Sequence, residues 1–327
     1  MQTPAWQQAL TEAFTDLPSL LAYLELEQTP LAAELLAARQ FSLRVPRAFA
    51  DLMQPGDPLD PLLRQVLPLA EETAQLPGFS ENPVGDREAE VTPGLLHKYP
   101  GRALIVATGA CAVHCRYCFR RHYPYASGSA TPRQWSAILD YLQTHPEIEE
   151  VILSGGDPLM VSDERLADWL AQLAALPHLK RLRLHTRLPV VLPLRITPAL
   201  VELLSASRLQ TLVVIHANHA NELSVDVERS LTTLKAAGIT LLNQAVLLKG
   251  VNDTVASLTD LSESLFRLGV LPYYIHLLDR VAGAAHFEVE EQQAVTLLQA
   301  VQKRLPGYLV PKLVREIPGE LSKTPIA

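Results

Sequence analysis

From about residue 100 onward, apolar and polar positions alternate between two rhythms. Short apolar runs bounded by turn residues predict strands over 103–108, 150–153, 182–185, 211–216, 240–247, 273–277 and 309–314. Between them, apolar residues recur at helical spacing over 131–144, 163–176, 224–237, 254–268 and 288–305, with Gly238 and Gly269 as stops for two of these helices. Strand and helix in strict alternation is the layout of βα units on a parallel sheet, so the fold class is α/β. A parallel sheet of so many strands must have its faces covered and its edges managed, which predicts closure into a full or partial barrel. In such barrels chemistry sits at the C-terminal ends of the strands.

The first 95 residues read differently. Helical patterning comes in pieces over 4–15, 18–24 and 30–38, and residues 86–94 read as an extended connector. The expected organisation is therefore a helical N-terminal extension over 1–95 and a barrel over 96–327. At 327 residues and 48% hydrophobic content the chain can bury a sizeable core, and its formal charge of −7 lacks the basic footprint of a nucleic-acid binder. Apolar runs stay short of a membrane span, and the N-terminus lacks the basic start and apolar core of a signal peptide. These features predict a cytoplasmic protein acting on a small molecule, with neither nucleic acid nor membrane as partner.

All three cysteines fall in one stretch, Cys111-Ala-Val-His-Cys115-Arg-Tyr-Cys118. A four-iron cluster held entirely by protein takes four cysteine thiolates, so three leave one iron open to another ligand. The C-x3-C-x2-C spacing is similar to that of radical S-adenosylmethionine (SAM) enzymes, whose open iron binds the amino and carboxylate groups of SAM. Two other readings stay open at this point: a Cys3His zinc site completed by His114 or His122, and ordinary buried thiols. An odd cysteine count with no disulfide framework fits a reducing compartment.

Four other stretches carry candidate chemistry. Ser154-Gly155-Gly156-Asp157 follows the 150–153 strand, and paired glycines let backbone approach a ligand closely, or simply form a tight turn. Arg120-Arg121-His122 follows Cys118 and can either balance cluster charge or clamp a carboxylate. Lys98-Tyr99-Pro100-Gly101-Arg102 sits ahead of the first strand as surface residues or as a phosphate grip. Lys323, in a loop rich in Gly and Pro, is either a solvated tail residue or a Schiff-base partner for an aldehyde cofactor.

Longer segments decide among these. The cysteine motif followed by FRR, LSGGDPL, TRLPVVLPLRIT over 186–197, HANHANE beginning at His216, NQAVLLKGVND over 243–253 and PYYIHLLD resemble lysine 2,3-aminomutases in content and in order. The resemblance runs from about residue 85 to the C-terminus and is closest to the short branch that supplies β-lysine for modifying elongation factor P. It implies a partial (βα)6-type radical SAM barrel, a [4Fe–4S] cluster on Cys111, Cys115 and Cys118, and pyridoxal 5′-phosphate (PLP) on Lys323. It implies cofactor contacts at Lys98, Tyr99, Arg102, Ser154, Gly155, Gly156, Asp157, His216 and Gln244. It places the substrate carboxylate on Arg120 and the distal ammonium on Asp279 and Glu316. The implied reaction converts L-α-lysine to β-lysine with a reducing electron donor, and elongation factor P and its lysine ligase are the implied functional partners.

The sequence departs from the free-standing aminomutases in two ways. Glu316 and Gly-Glu-Leu-Ser stand where those enzymes have an aspartate and a run of glycines, and the chain ends four residues after Lys323. The rival readings are a radical SAM aminomutase acting on glutamate or on free lysine for metabolism, a SAM enzyme without PLP, and a non-enzymatic zinc-binding module.

Overall fold

A computed structural model describes residues 3–28 and 41–326. The helical piece expected over 30–38 lies outside the described residues. Ten strands form one sheet in sequence order: β1 Glu90–Thr92, β2 Leu95–Tyr99, β3 Arg102–Thr108, β4 Glu150–Gly155, β5 Arg181–Thr186, β6 Gln210–Ile215, β7 Thr240–Val246, β8 Leu271–His276, β9 Lys312–Arg315 and β10 Thr324–Pro325. Strands β3 to β9 run parallel, each paired with the next, and the first residues of β3, β4, β5 and β6 stand in register (Arg102↔Glu150, Glu150↔Arg181, Arg181↔Gln210). The hairpin β1–β2 extends the sheet antiparallel at one edge and β10 closes the other antiparallel to β9.

The strand alternation shows why the sheet curls. Arg102 and Leu104 of β3, Ile152 and Ser154 of β4, His185 of β5, Val214 of β6, Gln244 of β7 and His276 of β8 all line one cavity. Their neighbours Ile105, Leu153, Leu184, Val213, Ala245 and Ile275 point the other way, into the core shared with the helices. A period of two residues separates the two faces. Because strands β3 to β8 each send one face to the same cavity, the sheet is a partial barrel with the cavity at its centre.

The outer helices are Pro132–Thr144, Asp163–Ala174, Pro198–Ser205, Val225–Ala236, Val255–Arg267 and Glu291–Gln302. Thr131, Ser162, Thr197, Ser224 and Thr254 cap the first five by accepting a backbone N–H in the first turn. The helix Pro198–Ser205 is additional to those the periodicity predicts; it is short, and its signal was the Thr-Pro at its start. The last parallel strand begins at Lys312 rather than 309, because Gly307–Leu309 is a 3-10 turn and Pro311 has no N–H for a ladder. Pro272 fits inside β8 because the β7–β8 register shifts between Asn243 and Gln244.

The N-terminal segment is not a separate body. Helices Ala5–Thr11 and Leu17–Tyr23 place Trp6, Leu10, Leu20 and Leu21 in the same buried cluster as the barrel's outer face, with Phe49, Leu62 and Leu63 from the residues that follow. The segment 86–94, expected as a connector, contributes β1 and joins the sheet.

Candidate active site

Every residue that the resemblance implies as a cofactor, substrate or cluster contact lines a central cavity of about 350 Å³. Its two ends are built differently.

At one end β3 delivers the cysteine loop. Gly155 and Gly156 pack against that loop rather than standing free of it. Gly156 N–H donates to the Thr108 carbonyl at 2.6 Å, and Asp157 N–H to that of Ala110 at 2.8 Å. A Cβ on Gly155, whose φ is +123°, would lie 2.6 Å from Thr108 O, and one on Gly156 would meet Ala110 O. The paired glycines thus set the height of the cysteine loop over β4. Asp157 is spent on structure as well: Thr186 Oγ1, Arg187 N–H, Leu159 N–H and Leu188 N–H all donate to its carboxylate at 2.7 to 3.2 Å. Burial pushes its pKa up to about 6 against those four donors.

Burial, with the other thiols close by, holds Cys111 well above the usual thiol range, and burial followed by Cys115 pushes Cys118 up to about 11. Three crowded thiols become thiolates together only when a strongly cationic group compensates them. Among the described residues, no three His, Cys, Asp or Glu side chains are drawn in to the spacing of a single metal ion. A cluster that gives each thiolate its own iron fits this set better than zinc does. His114 and His122 contact the backbone carbonyls of Ser42 and Ala282 instead.

Arg187 escaped the sequence reading. It follows β5, is 7% exposed, and its Nη1 donates to Cys115 Sγ at 2.7 Å and to Tyr117 Oη at 2.8 Å. Its Nη2 donates to Gln65 Oε1 at 2.6 Å and Glu222 Oε2 at 3.0 Å. The available signal was an arginine placed directly after a barrel strand, inside the TRLPVVLPLRIT segment. His216 stacks on Tyr117 with 5.7 Å between ring centroids, and burial beside Arg187 lowers its pKa to about 3.

At the other end the chain folds back on itself. β10 pairs Thr324 with Arg315 of β9, which sets Lys323 opposite Glu316, and Lys323 Nζ donates to Glu316 Oε2 at 2.8 Å. Lys323 is therefore held in the cavity and is not a solvated tail residue. The same Glu316 accepts from Lys98 Nζ at 2.7 Å; Lys98 also contacts Asp86 Oδ1 at 2.6 Å and Val84 O at 2.8 Å. Arg120 Nε completes the series on Asp86 Oδ2 at 2.7 Å, with Nη1 donating to Ser154 Oγ at 3.1 Å. Charges thus alternate from Lys323 through Glu316, Lys98 and Asp86 to Arg120. Val84 O and Glu316 Oε1 accept two of the three ammonium protons of Lys98, and the Asp86 carboxylate is its second charge partner.

The two acids differ. Burial alone would raise Glu316, but Lys323 and Lys98 together hold it well below the usual carboxylate range. Asp279, half-buried and facing Glu316, is pushed up to about 7 by loss of solvation and by that second acid. Among the described residues several polar atoms at this end have no protein partner: Nε2 of His185 and Nε2 of His276 are buried and unpaired, and Arg102 lies over the Tyr99 ring at 4.4 Å without a carboxylate. A cavity with a lysine, a free guanidinium and unpaired ring nitrogens fits a polar aromatic aldehyde bearing a phosphate. Gln244 sits between the two ends, its Nε2 3.5 Å from His185 Nδ1.

Comparison with known proteins gives the family of this chain. Residues 105–261 match the Radical SAM superfamily profile, which defines a radical SAM protein with a [4Fe–4S] cluster and SAM as its cofactors. The chain is 50% identical to L-lysine 2,3-aminomutase of Escherichia coli (strain K12), covering 100% of this chain and 96% of that one. It is 48% identical to the L-lysine 2,3-aminomutase of Haemophilus influenzae (98% and 94% covered) and 34% identical to that of Clostridium subterminale (98% and 77% covered). The chain belongs to the lysine 2,3-aminomutase family and is an isomerase of the aminomutase type.

Proposed function

We propose that this protein is a PLP-dependent radical SAM aminomutase that converts L-α-lysine to β-lysine, and that the product serves to modify elongation factor P. One observation carries the chemical reading: the Lys323–Glu316 pair stands in the same cavity as the three cysteines, with Arg120 and Asp279 beside it. When bound, SAM on the cluster supplies radical initiation, and PLP supplies a carrier for the migrating amino group.

The chain's own residues fix what can enter. Lys323 is the amine that would hold the aldehyde, and Arg102 with Tyr99 is the pair best placed for its phosphate, since Arg102 has no carboxylate to satisfy. Lys98, already paired with the carboxylates of Asp86 and Glu316, acts in this reading as the link between the two ends of the substrate site. Arg120 would take the substrate carboxylate through Nη2, which has no protein partner, while Asp86 fixes its Nε and Ser154 its Nη1. Asp279 and Glu316 would receive the distal ammonium. An acidic far wall repels the side-chain carboxylate of glutamate, which favours lysine over that rival.

Ser154, Gly155, Gly156 and Asp157 would shape the SAM side by holding the cysteine loop, and His216 and Gln244 would face the cofactors from β6 and β7. The link to elongation factor P rests on the resemblance to the short branch.

The test is anaerobic turnover of cluster-reconstituted protein with SAM, PLP, a reductant and L-lysine, read by mass spectrometry, with Lys323→Ala as control. β-Lysine from the wild type alone is the expected result. A protein that cleaves SAM yet forms no β-lysine would sink the lysine assignment. For the elongation factor, the intact mass of the factor from cells lacking this gene should lose a lysyl adduct.

A further inference from the structure

We propose that Arg187 is a positioning residue that tunes the reduction potential of the cluster through its hydrogen bond to Cys115, and that the N-terminal segment exists in part to hold it there. The inference rests on the cluster-binding cysteines and is independent of which amino acid the enzyme rearranges.

A guanidinium almost removed from water needs acceptors for its protons; Nη1 and Nη2 of this one have two each, while its Nε has none among the described residues. Tyr117, Gln65 and Glu222 hold Nη1 and Nη2, and Asp157 accepts from the backbone N–H of the same residue at 2.7 Å. Gln65, fully buried, also accepts from Asn218 Nδ2 at 2.9 Å, and its own Nε2 donates to Glu222 Oε1 at 3.0 Å. With these partners fixed, the remaining direction of Nη1 is the sulfur of Cys115. Removing one partner from such a buried network is strongly unfavourable, so the arrangement resists drift.

The N-terminal segment contributes more than Gln65. Arg116 N–H donates to the Gln65 carbonyl at 2.9 Å, and Arg121 Nη2 reaches Glu72 at 2.7 Å. Arg116 Nε donates to the same Glu72 at 2.8 Å. Both arginines flank the second and third cysteines, so the segment grips the loop by its backbone and its charges.

Hydrogen bonds to cluster sulfurs, net charge and solvent exposure set the potential of such clusters. One-electron reduction adds negative charge to the cluster and its thiolates. A cation and an N–H on Cys115 stabilise that charge, so they raise the potential and make reduction by a weak donor easier. The electron comes from an external low-potential one-electron donor, and no bond forms or breaks at Arg187.

The experiment is a mediated redox titration of reconstituted full-length protein without SAM, followed by electron paramagnetic resonance, for wild type, Arg187→Met and Arg187→Lys. Iron and sulfide content and a thermal melt accompany each sample, and SAM affinity is measured separately. Arg187→Met should retain its cluster but titrate at a more negative potential. At fixed potential the reduced-to-oxidised ratio should fall about tenfold, or about 59 mV for a one-electron couple. Arg187→Lys, which keeps a charge for Glu222 but loses the fork, should fall between.

A full iron content with unchanged potential in either variant would overturn the proposal. So would an unchanged potential with weakened SAM binding, which would make Arg187 a SAM contact. Should Arg187→Met fail to fold, Arg187→Lys alone decides: a potential equal to wild type refutes the tuning role.

Discussion

The two ends of the cavity satisfy their charges in opposite ways. At the cysteine end, Arg187, Asp157 and Glu222 are matched almost entirely by protein partners drawn from distant parts of the chain. At the lysine end, Lys98 is paired with two carboxylates, but Asp279 faces another acid, and Nε2 of His185 and Nε2 of His276 have no partner among the described residues. The first end is built before its cofactor arrives. The second is completed by what binds, which places the substrate-dependent part of the energetics there.

The largest effect should come from breaking the prebuilt end. Cys115→Ala leaves two thiolates for a cluster that needs three, so iron content and turnover should both fall to background while the barrel still folds. Near-full iron in that variant would show that the sulfur bonded to Arg187 is not a ligand. At the other end, Asp279→Asn removes one of the acids proposed for the substrate ammonium. Leaving that cation one charge short should weaken lysine binding about 30-fold, or roughly 2 kcal/mol, in the range of a truncated buried charge pair. The check is lysine-dependent perturbation of the PLP chromophore without SAM. Norleucine, which lacks the ammonium, should bind both proteins alike.

Lys98→Met should act more weakly, because Asp86 keeps Arg120 and Glu316 keeps Lys323. An expected loss of about tenfold in lysine affinity corresponds to a single hydrogen bond to a charged group. The comparison that sharpens its role is PLP against pyridoxal, the same aldehyde without phosphate. If Lys98 links the substrate's two ends, the variant binds both cofactors as wild type does. Selective loss of PLP binding would return Lys98 to the phosphate.

The cysteine loop itself was easier to read from sequence than either its supports or the lysine end. Cys111, Cys115, Cys118, Gly155 and Gly156 stand in short motifs whose spacing is itself the signal. The barrel was legible because strand and helix periods differ. Arg187 was not, since its meaning depends on Gln65 and Glu222, which meet it only after folding. Lys98 showed only its positive sign in the sequence; its contacts come from Val84, Asp86 and Glu316, the last more than two hundred residues away. The 60–72 stretch carries no motif, because gripping a loop by a glutamine carbonyl and one buried glutamate leaves no pattern in a single sequence.

The smallest effect, and the one that compares the two acids directly, is the pH dependence of stability in the cofactor-free chain. Asp279 has its pKa raised to about 7 by burial and by Glu316. The unfolded carboxyl ionises near 4, so between about pH 4 and 7 the unfolded chain sheds a proton that the native chain keeps, and Asp279 makes stability fall as pH rises through that window. Glu316 has the opposite sign. Lys323 and Lys98 overcome its burial and depress it, so its contribution is present above the unfolded value and is lost as pH falls toward the native one. Asp157, raised to about 6 by burial, adds to the Asp279 direction. Urea midpoints from pH 5 to pH 8 should therefore decline less steeply in Asp279→Asn than in wild type. Glu316→Gln should also flatten the decline, because Asp279 then loses the neighbour that helps keep it protonated. Equal slopes in wild type and Asp279→Asn would mean that Asp279 ionises normally, and that the end of the cavity read here as waiting for an ammonium is already satisfied.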